Sequence, residues 1–414
     1  MMLGMLAKDL IETTGIVLLL GYLAFIPTGP FPIPVAVGLN LDVIIGFLLF
    51  LFVVTYSLRI GLYPHVFVLA WLFYLLVVFL SAIFSDNFNH SIKYAFIIFG
   101  YSAVALLVPV IFVNHASFLR KWLFTVATIV SSIIIYLYVF HGFADGHRFA
   151  LGVSDMSRDM AMSAGLVAID PNMTAAGLLL SMIVYFPYLF DDYKRLLLDL
   201  FGVTSILLGS VILLSRSAMI GFILSIFISY CILLVKRFDF DNVIVFNKKL
   251  LVAFPVFIIS IPLVVIIGNA LFPEIIDSFL GRILRIADDS HRIDLLVHSW
   301  GVFISDIKTI LIGGGLMTVN PHNEYLRVLA SMGTLGWIGS FLFLLFMFYF
   351  STKSLSGNHR AIFSAWTIIV FVLVISMFYG YTKLVWVAWM FLLLLHHEYK
   401  FDCIVQRVKR AKTH

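Results

Sequence analysis

The sequence predicts an all-α integral membrane protein with about twelve transmembrane helices in a single domain, 1–414. Its mean hydropathy is +1.08, and 62% of its residues are hydrophobic, whereas soluble domains have about 45–50% apolar residues. Apolar runs long enough to cross about 30 Å of hydrocarbon recur along the whole chain. Because a helix satisfies its own backbone groups, each such run is expected to cross the bilayer as a helix.

The apolar runs define the predicted spans and the two long loops between them. In chain order the spans are 11–29, 40–58, 64–84, 93–113, 119–141, 171–190, 196–215, 217–236, 250–272, 323–350, 361–380 and 382–397. The long loops, 142–170 and 273–322, fall on the same side of the membrane and are expected to carry short amphipathic helices. Loops of this length between closely connected spans usually carry function.

The distribution of basic residues orients the predicted spans. With the N-terminus inside, 17 of the 27 basic residues fall in cytoplasmic segments, so both termini are expected in the cytoplasm and both long loops in the periplasm. Seven of the remaining basic residues are arginines: Arg148, Arg158, Arg216, Arg282, Arg285, Arg292 and Arg327. Arg captures phosphate in a bidentate manner, so the outer face is expected to bind a phosphate-bearing ligand.

Both long loops end in an Asx-Pro helix start, Asp170-Pro171 in the first and Asn320-Pro321 in the second. The Asx side chain serves as N-cap and Pro takes the first helical position. Asp170 and Asn320 are therefore predicted to cap helices. Free N–H groups and the positive dipole end of each helix would then favour an anion.

Polar residues crowd the second of these helix starts, in the stretch NPHNEYLRVLASMG that begins at Asn320. His322 and Asn323 are expected in the first turn, and Glu324 can pair with Arg327 three residues later. Further along, Gly333, Gly336 and Gly339 recur at every third position, which favours close approach of a neighbouring helix. The alternative interpretation is that the polar residues only mark the headgroup boundary.

Two other segments contain arginines near the predicted outer surface. Residues 279–305 predict an amphipathic helix with Arg282, Arg285 and Arg292 in one arc. The alternative, snorkelling to lipid phosphates, suits Arg282 and Arg285 better, because a helix restart at Ser290 would leave Arg292 beside a new N-terminus. Arg216 lies between two spans joined by almost no loop, so it should face a cavity, a partner or a phosphate, unless it is an exposed turn residue.

Several of these pieces resemble the O-antigen ligase and O-antigen polymerase superfamily. The pieces are DPNMTAAGLL, LLSRSAMIGF, SHRIDLLVHSW, LIGGGL and PHNEYLRVLASMGTLGWIG, in this order over about 170–340. The resemblance implies a metal-independent, inverting glycosyltransferase at the outer face of a bacterial inner membrane, with no cofactor. Its donor would be a glycan on undecaprenyl pyrophosphate, and its acceptor another glycan or the lipid A core. A chain-length regulator is a further candidate partner.

The same resemblance gives the candidate site residues their roles. Arg216 and Arg292 would hold the pyrophosphate, and His322 would take the proton of the incoming hydroxyl, as its ordinary pKa near ~6.5 allows. The candidate substrate-binding residues are Asn172, Arg282, Arg285, Asn323, Glu324 and Arg327. Asp288-Asp289 is the best outer carboxylate pair, but it is interpreted as a helix start or Arg partner, so no metal site is expected.

Alternative functions remain open at this level. The short loop before His322 and the PHNEYL form favour a polymerase over a ligase. A lipid-linked oligosaccharide flippase would share the headgroup, and a non-catalytic assembly subunit is a third possibility. No ATP site is expected, since Gly313-Gly314-Gly315 lacks the Lys and Ser/Thr of a P-loop, and nothing indicates a nucleic-acid partner. A flippase and a chain-length regulator encoded nearby would favour the polymerase, and core-assembly enzymes the ligase.

The predicted orientation can be tested by thiol labelling. A Cys introduced at His147 or Asp288 is expected to react with a membrane-impermeant thiol reagent in intact spheroplasts, because both positions fall in outer loops. Cys403, in the cytoplasmic tail, is expected to stay unlabelled until the membrane is permeabilised. Labelling of Cys403 in intact spheroplasts would reverse the orientation and remove the basis for a periplasmic site.

Overall fold

The computed structural model describes residues 2–27, 34–36, 39–60, 66–141, 171–189, 195–213, 215–237, 290–316, 323–354, 359–377 and 384–398. These residues are almost entirely helical. The helices are α1 (Met2–Ala24), α2 (Leu41–Ile60), α3 (Val66–Ile83), α4 (Phe88–Ile111), α5 (Ala116–His141), α6 (Pro171–Tyr185), α7 (Leu196–Ile212), α8 (Arg216–Arg237), α9 (Ser290–Phe303), α10 (Ile307–Ile312), α11 (Glu324–Ser354), α12 (His359–Ser376) and α13 (Leu384–Glu398). Single 3-10 turns lie at Val113–His115 and Phe186–Tyr188, and a short antiparallel pair, β1 (Pro34–Ala36) with β2 (Leu39–Asn40), precedes α2.

A helix occupies the position of every predicted span except the ninth, 250–272, which lies outside the described residues. Three described segments are long and apolar enough to cross a membrane: Phe88–Ile111, Val113–Tyr136 and Glu324–Leu345. The other apolar helices are shorter. The helical class is therefore confirmed, together with helices able to span a bilayer. The loop 142–170 lies outside the described residues, and the described part of 273–322 carries α9 and α10.

Large apolar side chains are exposed on the outside of several helices. Phe47 on α2 is 58% exposed, and Leu69 and Leu76 on α3 are 62% and 57% exposed. On α7, Leu197 reaches 80%. Repeated exposure of large apolar groups is typical of surfaces that contact lipid or a partner protein, which agrees with the apolar composition of these helices.

At one end of the bundle, the start of one helix lies beside the end of another at two places. Gly177 in the second turn of α6 faces the backbone of Ile26, just beyond α1. At the same end, the Asn323 side-chain amide, before α11, donates a hydrogen bond to the Met377 carbonyl, after α12 (3.0 Å). These contacts fit an antiparallel arrangement of α1 with α6 and of α11 with α12.

Side-chain contacts also join helices at the opposite end of the bundle. Arg120, near the start of α5, forms an ion pair with Glu398 at the end of α13 (2.9 Å). His115, before α5, contacts Glu12 in the first half of α1 (3.1 Å between Nε2 and Oε1). Polar side-chain contacts therefore connect helices that are far apart in the sequence.

The two predicted helix starts have different outcomes. α6 begins at Pro171 as expected, although Asp170 itself lies outside the described residues. α11 begins at Glu324, and its cap is Asn323, whose Oδ1 accepts a hydrogen bond from the Leu326 N–H (3.0 Å). The prediction that Asn320 caps this helix is wrong. The bond from the Asn323 amide to the next helix fixes this side chain where it can cap α11.

The predicted helix over 279–305 is present from Ser290 to Phe303 as α9, while 279–289 lies outside the described residues. Asp306 then caps α10, since its carboxylate accepts hydrogen bonds from the N–H and the hydroxyl of Thr309, each at 2.8 Å. These bonds hold the pKa of Asp306 below its ordinary value. Gly313 follows α10 as its C-cap, and its φ of 81° is readily adopted only by glycine.

α11 is broken at Gly333, where φ is 64° and ψ is −166°. The break frees backbone carbonyls on the turn before it, and a loop of three glycines, 313–315, satisfies them. Gly314 N–H donates to the Ala330 carbonyl (2.8 Å) and Gly315 N–H to the Ser331 carbonyl (3.2 Å). In an apolar surrounding an unsatisfied carbonyl costs several kcal/mol, roughly, so the glycine loop is what makes the broken helix tolerable.

Buried serines on α3 and α4 complete this polar junction. Ser81 donates its hydroxyl to the Ser331 carbonyl. Ser91 bonds both the Ser85 hydroxyl (2.8 Å) and the Leu316 carbonyl (3.1 Å). The glycine loop therefore lies between α11 on one side and α3 and α4 on the other.

The predicted glycine spacing in α11 is confirmed at two of its three positions. Gly333 lies against the backbone of Leu311 and Ile312 in α10, and Gly339 lies against α3. At Gly336 the nearest atoms are those of the Met332 side chain in the same helix, so the expectation of a neighbouring helix there stays a prediction. The break at Gly333 turns the following residues away from a continuous helical face.

Gly333→Ala is expected to destabilise the protein by about 1–3 kcal/mol, because a Cβ there requires a strained φ and meets the α10 backbone. Gly100→Ala in α4 is the matched control, since a Cβ at Gly100 meets nothing within 4 Å. Thermal unfolding of the purified proteins in detergent, followed by tryptophan fluorescence, measures both. Equal midpoints for the two variants would show that the break does not depend on Gly333.

Candidate functional site

The described residues include only part of the predicted site. His322, Arg282 and Arg285 lie outside them. Arg216 is the first residue of α8, and Arg292 is in the first turn of α9, but nothing is described of either side chain. The side chains of Asn172, Asn323, Glu324 and Arg327 are described. Asn172 is 5% exposed.

Helix packing connects the helices that carry these residues. α9 packs against α11, so the helices of Arg292 and Arg327 are neighbours. α6 packs against α8, so the helices of Asn172 and Arg216 are also neighbours. α12 contacts α6, α8 and α11 and links the two pairs. The four helices that carry the predicted site residues therefore form one connected group.

A cavity of about 460 Å³ opens beside the start of α11. Its walls come from α3, α4, α6, α11, α12 and α13. Glu324 and Arg327, two of the predicted substrate-binding residues, line it, and Met173 of α6 lies next to Asn172. The remaining wall is mostly apolar and aromatic, as in many small-molecule sites with a few placed polar groups.

Glu324 and Arg327 form a bidentate ion pair inside this cavity, as their spacing predicts. Arg327 donates from Nε to Glu324 Oε2 (2.9 Å) and from Nη2 to Glu324 Oε1. Their side chains are only 19% and 14% exposed. A buried charge is tolerated when it is paired and hydrogen bonded, and here each residue supplies the other's counter-charge one helical turn away.

The first turn of α11 is fixed to α12 by two side chains. Asn323 donates from its amide to the Met377 carbonyl (3.0 Å) while its oxygen caps the helix. Tyr325 donates its hydroxyl to the Leu373 carbonyl (2.9 Å). These bonds fix the first turn of α11, which lines the cavity, against the end of α12.

Ser331 is a cavity residue that the sequence pattern does not single out. The residue is 3% exposed and contributes to the cavity wall, and its Oγ is buried without a hydrogen-bond partner among the described residues. Its spacing from Glu324 and Arg327 places the three side chains along one face of the helix. A polar stripe therefore runs from the helix start into the cavity, and only knowledge of the neighbouring walls reveals it.

A second polar cluster lies at the opposite end of the bundle. Arg120 is 2% exposed, pairs with Glu398 and donates from Nη1 to the Tyr188 hydroxyl (3.1 Å). Tyr188 in turn donates to Glu398 (2.5 Å), and its ring centre lies 5.4 Å from the guanidinium carbon. In the sequence Arg120 is only one of the basic residues assigned to the cytoplasmic side, so its burial was not predicted.

Among the described residues, no three or more His, Cys, Asp or Glu side chains are grouped so that they could hold a metal ion. Asp288 and Asp289 lie outside that part of the chain.

No family model and no curated protein matches this sequence. The fold and cavity together define a helical protein with apolar helices and a partly polar internal site.

Breaking the buried pair is expected to be costly. Glu324→Ala leaves an uncompensated, buried guanidinium, so the protein should lose about 3–5 kcal/mol of stability. The double replacement Glu324→Leu with Arg327→Met removes both charges and should cost less than the single change. Thermal unfolding in detergent compares the three proteins. A double variant at least as unstable as the single variant would show that the two charges do not depend on each other.

Proposed function

We propose that this protein is a twelve-span glycosyltransferase of a bacterial inner membrane that uses a glycan carried on undecaprenyl pyrophosphate at the periplasmic face. The observation that supports it most is the cavity beside the start of α11, with a buried Glu324–Arg327 pair directly after His322. A mostly apolar and aromatic cavity with one buried ion pair, at the end of apolar helices, suits a substrate with an apolar anchor and a hydrophilic glycan. The resemblance of 170–340 to O-antigen polymerases and ligases supplies the reaction class.

The proposed reaction is a direct displacement with inversion. The acceptor hydroxyl oxygen bonds to the anomeric carbon of the donor glycan while the bond from that carbon to the pyrophosphate oxygen breaks. The electron pair leaves with undecaprenyl pyrophosphate, and the hydroxyl proton passes to His322. The donor is already activated, so the step requires neither nucleotide nor metal.

Arg216 and Arg292 are the proposed partners of the pyrophosphate. Each lies in the first turn of its helix, where helix N–H groups and the dipole also favour an anion. Negative charge grows on the pyrophosphate as it departs, so these side chains act on the transition state as well as on binding. Arg327 is less suited to this role, because Glu324 already engages its guanidinium in a bidentate manner.

Polymerase, ligase and flippase differ in where the lipid-linked glycan goes. The short loop before His322 favours polymerisation of O-antigen or exopolysaccharide repeat units, with another lipid-linked glycan as acceptor. Transfer to lipid A core would make the protein a ligase. Movement of the intact lipid-linked glycan across the bilayer, without a new glycosidic bond, would make it a flippase.

His322→Ala is expected to reduce transfer by about 10²–10⁴-fold, which is the usual contribution of general-base catalysis. The assay combines purified protein, lipid-linked donor and acceptor at matched protein levels. His298→Ala is the matched control, since His298 is an exposed residue of α9. Arg292→Lys keeps the charge but loses the bidentate fork, so it should also lose most activity.

Two outcomes would contradict these assignments. Transfer by His322→Ala at a rate near that of the wild type would exclude His322 as the base. In the second outcome, the wild-type protein forms no glycosidic bond in this assay and moves the lipid-linked glycan across a vesicle membrane. That result would show that the protein is a transporter and not a transferase.

A further inference from the structure

α9 and α10 belong to the predicted second long loop, yet they expose large apolar side chains. Val297 and Trp300 on α9 are half or more exposed. So is Ile304, whose N–H donates to the Trp300 carbonyl (3.1 Å) and extends the last turn of that helix. On α10, Ile307 is 78% exposed and Leu311 is about half exposed. These five side chains are called the apolar rim. Contiguous exposed apolar groups mark contacts with protein or membrane.

α9 has three sides of different character. Successive residues of an α-helix are about 100° apart, so the first three residues of the apolar rim share one side. The exposed Asp294 and His298 share a second side, and the buried Ser299 marks the third. The third side faces the protein, since α9 packs against α11. A helix with a protein side, an apolar side and a polar side is typical of one that lies in a membrane surface.

The turn between α3 and α4 shows the level of α10 relative to the apolar part of the bundle. Lys308 Nζ lies 3.9 Å from the carboxylate of Asp86 in this turn, and the Asp86 side chain is almost fully exposed. α4, which is long and apolar enough to cross a membrane, begins shortly afterwards at Phe88. The start of α10 is therefore at the boundary between the apolar bundle and water.

The apolar rim also adjoins the exposed apolar surface of the bundle. α10 packs against α3 and α11, and the Thr334 hydroxyl of α11 donates to the Ile310 carbonyl (2.8 Å). About one turn after Thr334, α11 exposes Trp337, Ile338 and Phe341. These residues lie within a segment that is long and apolar enough to span a bilayer. Lipid that covers this part of α11 therefore also reaches α10.

We propose that the apolar rim seats α9 and α10 in the headgroup region of the bilayer that surrounds the bundle. The partner is thus a lipid surface. Trp300 suits this position because Trp is enriched at membrane–water interfaces, and Asp294 and His298 then face water. Among the described charged residues beside the rim, Asp294 and Asp306 are acidic and Lys308 is basic. The contact is therefore apolar insertion and not attraction to anionic headgroups.

This seating requires only that the spanning helices lie in a bilayer, so it does not depend on the proposed function. Its link to that function is one of position. A seated α9 holds its side of α11 at the depth of the headgroups, where a lipid-linked donor has its pyrophosphate. That link rests on the proposed function, and the contact with lipid does not.

The test measures the depth of single fluorescent labels on purified protein in nanodiscs of phosphatidylcholine. The two native cysteines are replaced by serine, and a nitrobenzoxadiazole label is attached to one introduced cysteine at a time. Val297→Cys and Ile304→Cys report on the apolar side of α9. Asp294→Cys and His298→Cys are the matched controls on its polar side. All four side chains are exposed, so their replacement leaves the packing of the helix unchanged.

The two sides of α9 are expected to give opposite results. Labels on the apolar side should lie about 5–10 Å into the headgroup and acyl boundary, so lipid nitroxides near the headgroup should quench them and aqueous iodide should not. Labels on the polar side should be quenched by iodide, which also controls for attraction of the dye to the bilayer. Leu72→Cys, on the exposed face of α3, calibrates the hydrocarbon interior and should be quenched most by nitroxides near the chain ends.

Two results would overturn the proposal. Iodide quenching on both sides of α9, without quenching by nitroxides, would place the helix in water. Shielding of the Val297→Cys and Ile304→Cys labels from both quenchers would show that protein covers the apolar rim, and a disulfide between two Ile304→Cys chains would identify a second copy as that protein. No glycan is transferred in this experiment, so failure of the glycosyltransferase proposal would leave the measured depths unchanged.

Discussion

The break in α11 is stabilised by two backbone hydrogen bonds from the glycine loop, which replace bonds that the helix loses at Gly333. A helix interrupted between apolar neighbours must satisfy the carbonyls that it frees, and the amides of Gly314 and Gly315 do so. The consequence is that the turn with Glu324, Arg327 and Ser331 has an orientation independent of the longer segment after Gly333. The polar stripe can face a cavity while the rest of α11 packs as an ordinary apolar helix against α3.

Much of the helical framework is predictable from the sequence because apolar runs and Asx-Pro starts are local signals. The start of α6 at Pro171 and the Glu324–Arg327 pair depend only on residues within one helical turn, and both predictions are confirmed. The cap of α11 was predicted wrongly, since the choice of Asn323 over Asn320 involves a bond to Met377 in the next helix. Local sequence contains no information about that partner.

The less predictable features are those with partners distant in the chain. Arg120 is buried beside Glu398, and no local pattern connects two residues so far apart. Ser331 resembles any other serine in an apolar helix until the cavity wall is known. The break at Gly333 resembles a helix-packing glycine, because small-residue spacing is the same in both cases. The catalytic assignments to His322, Arg216 and Arg292 stay predictions.

The Arg120–Glu398 pair also sets an order for the assembly of the protein during synthesis. Arg120 is synthesised with α5, long before the ribosome reaches Glu398, so its guanidinium lacks the carboxylate partner from α13 at that stage. An unpaired guanidinium is costly within hydrocarbon, and α5 is therefore expected to keep its first turn at the water interface until α13 arrives. When α13 is synthesised, Glu398 completes the burial of Arg120, and a nascent chain truncated before Glu398 is expected to have an exposed arginine at this position.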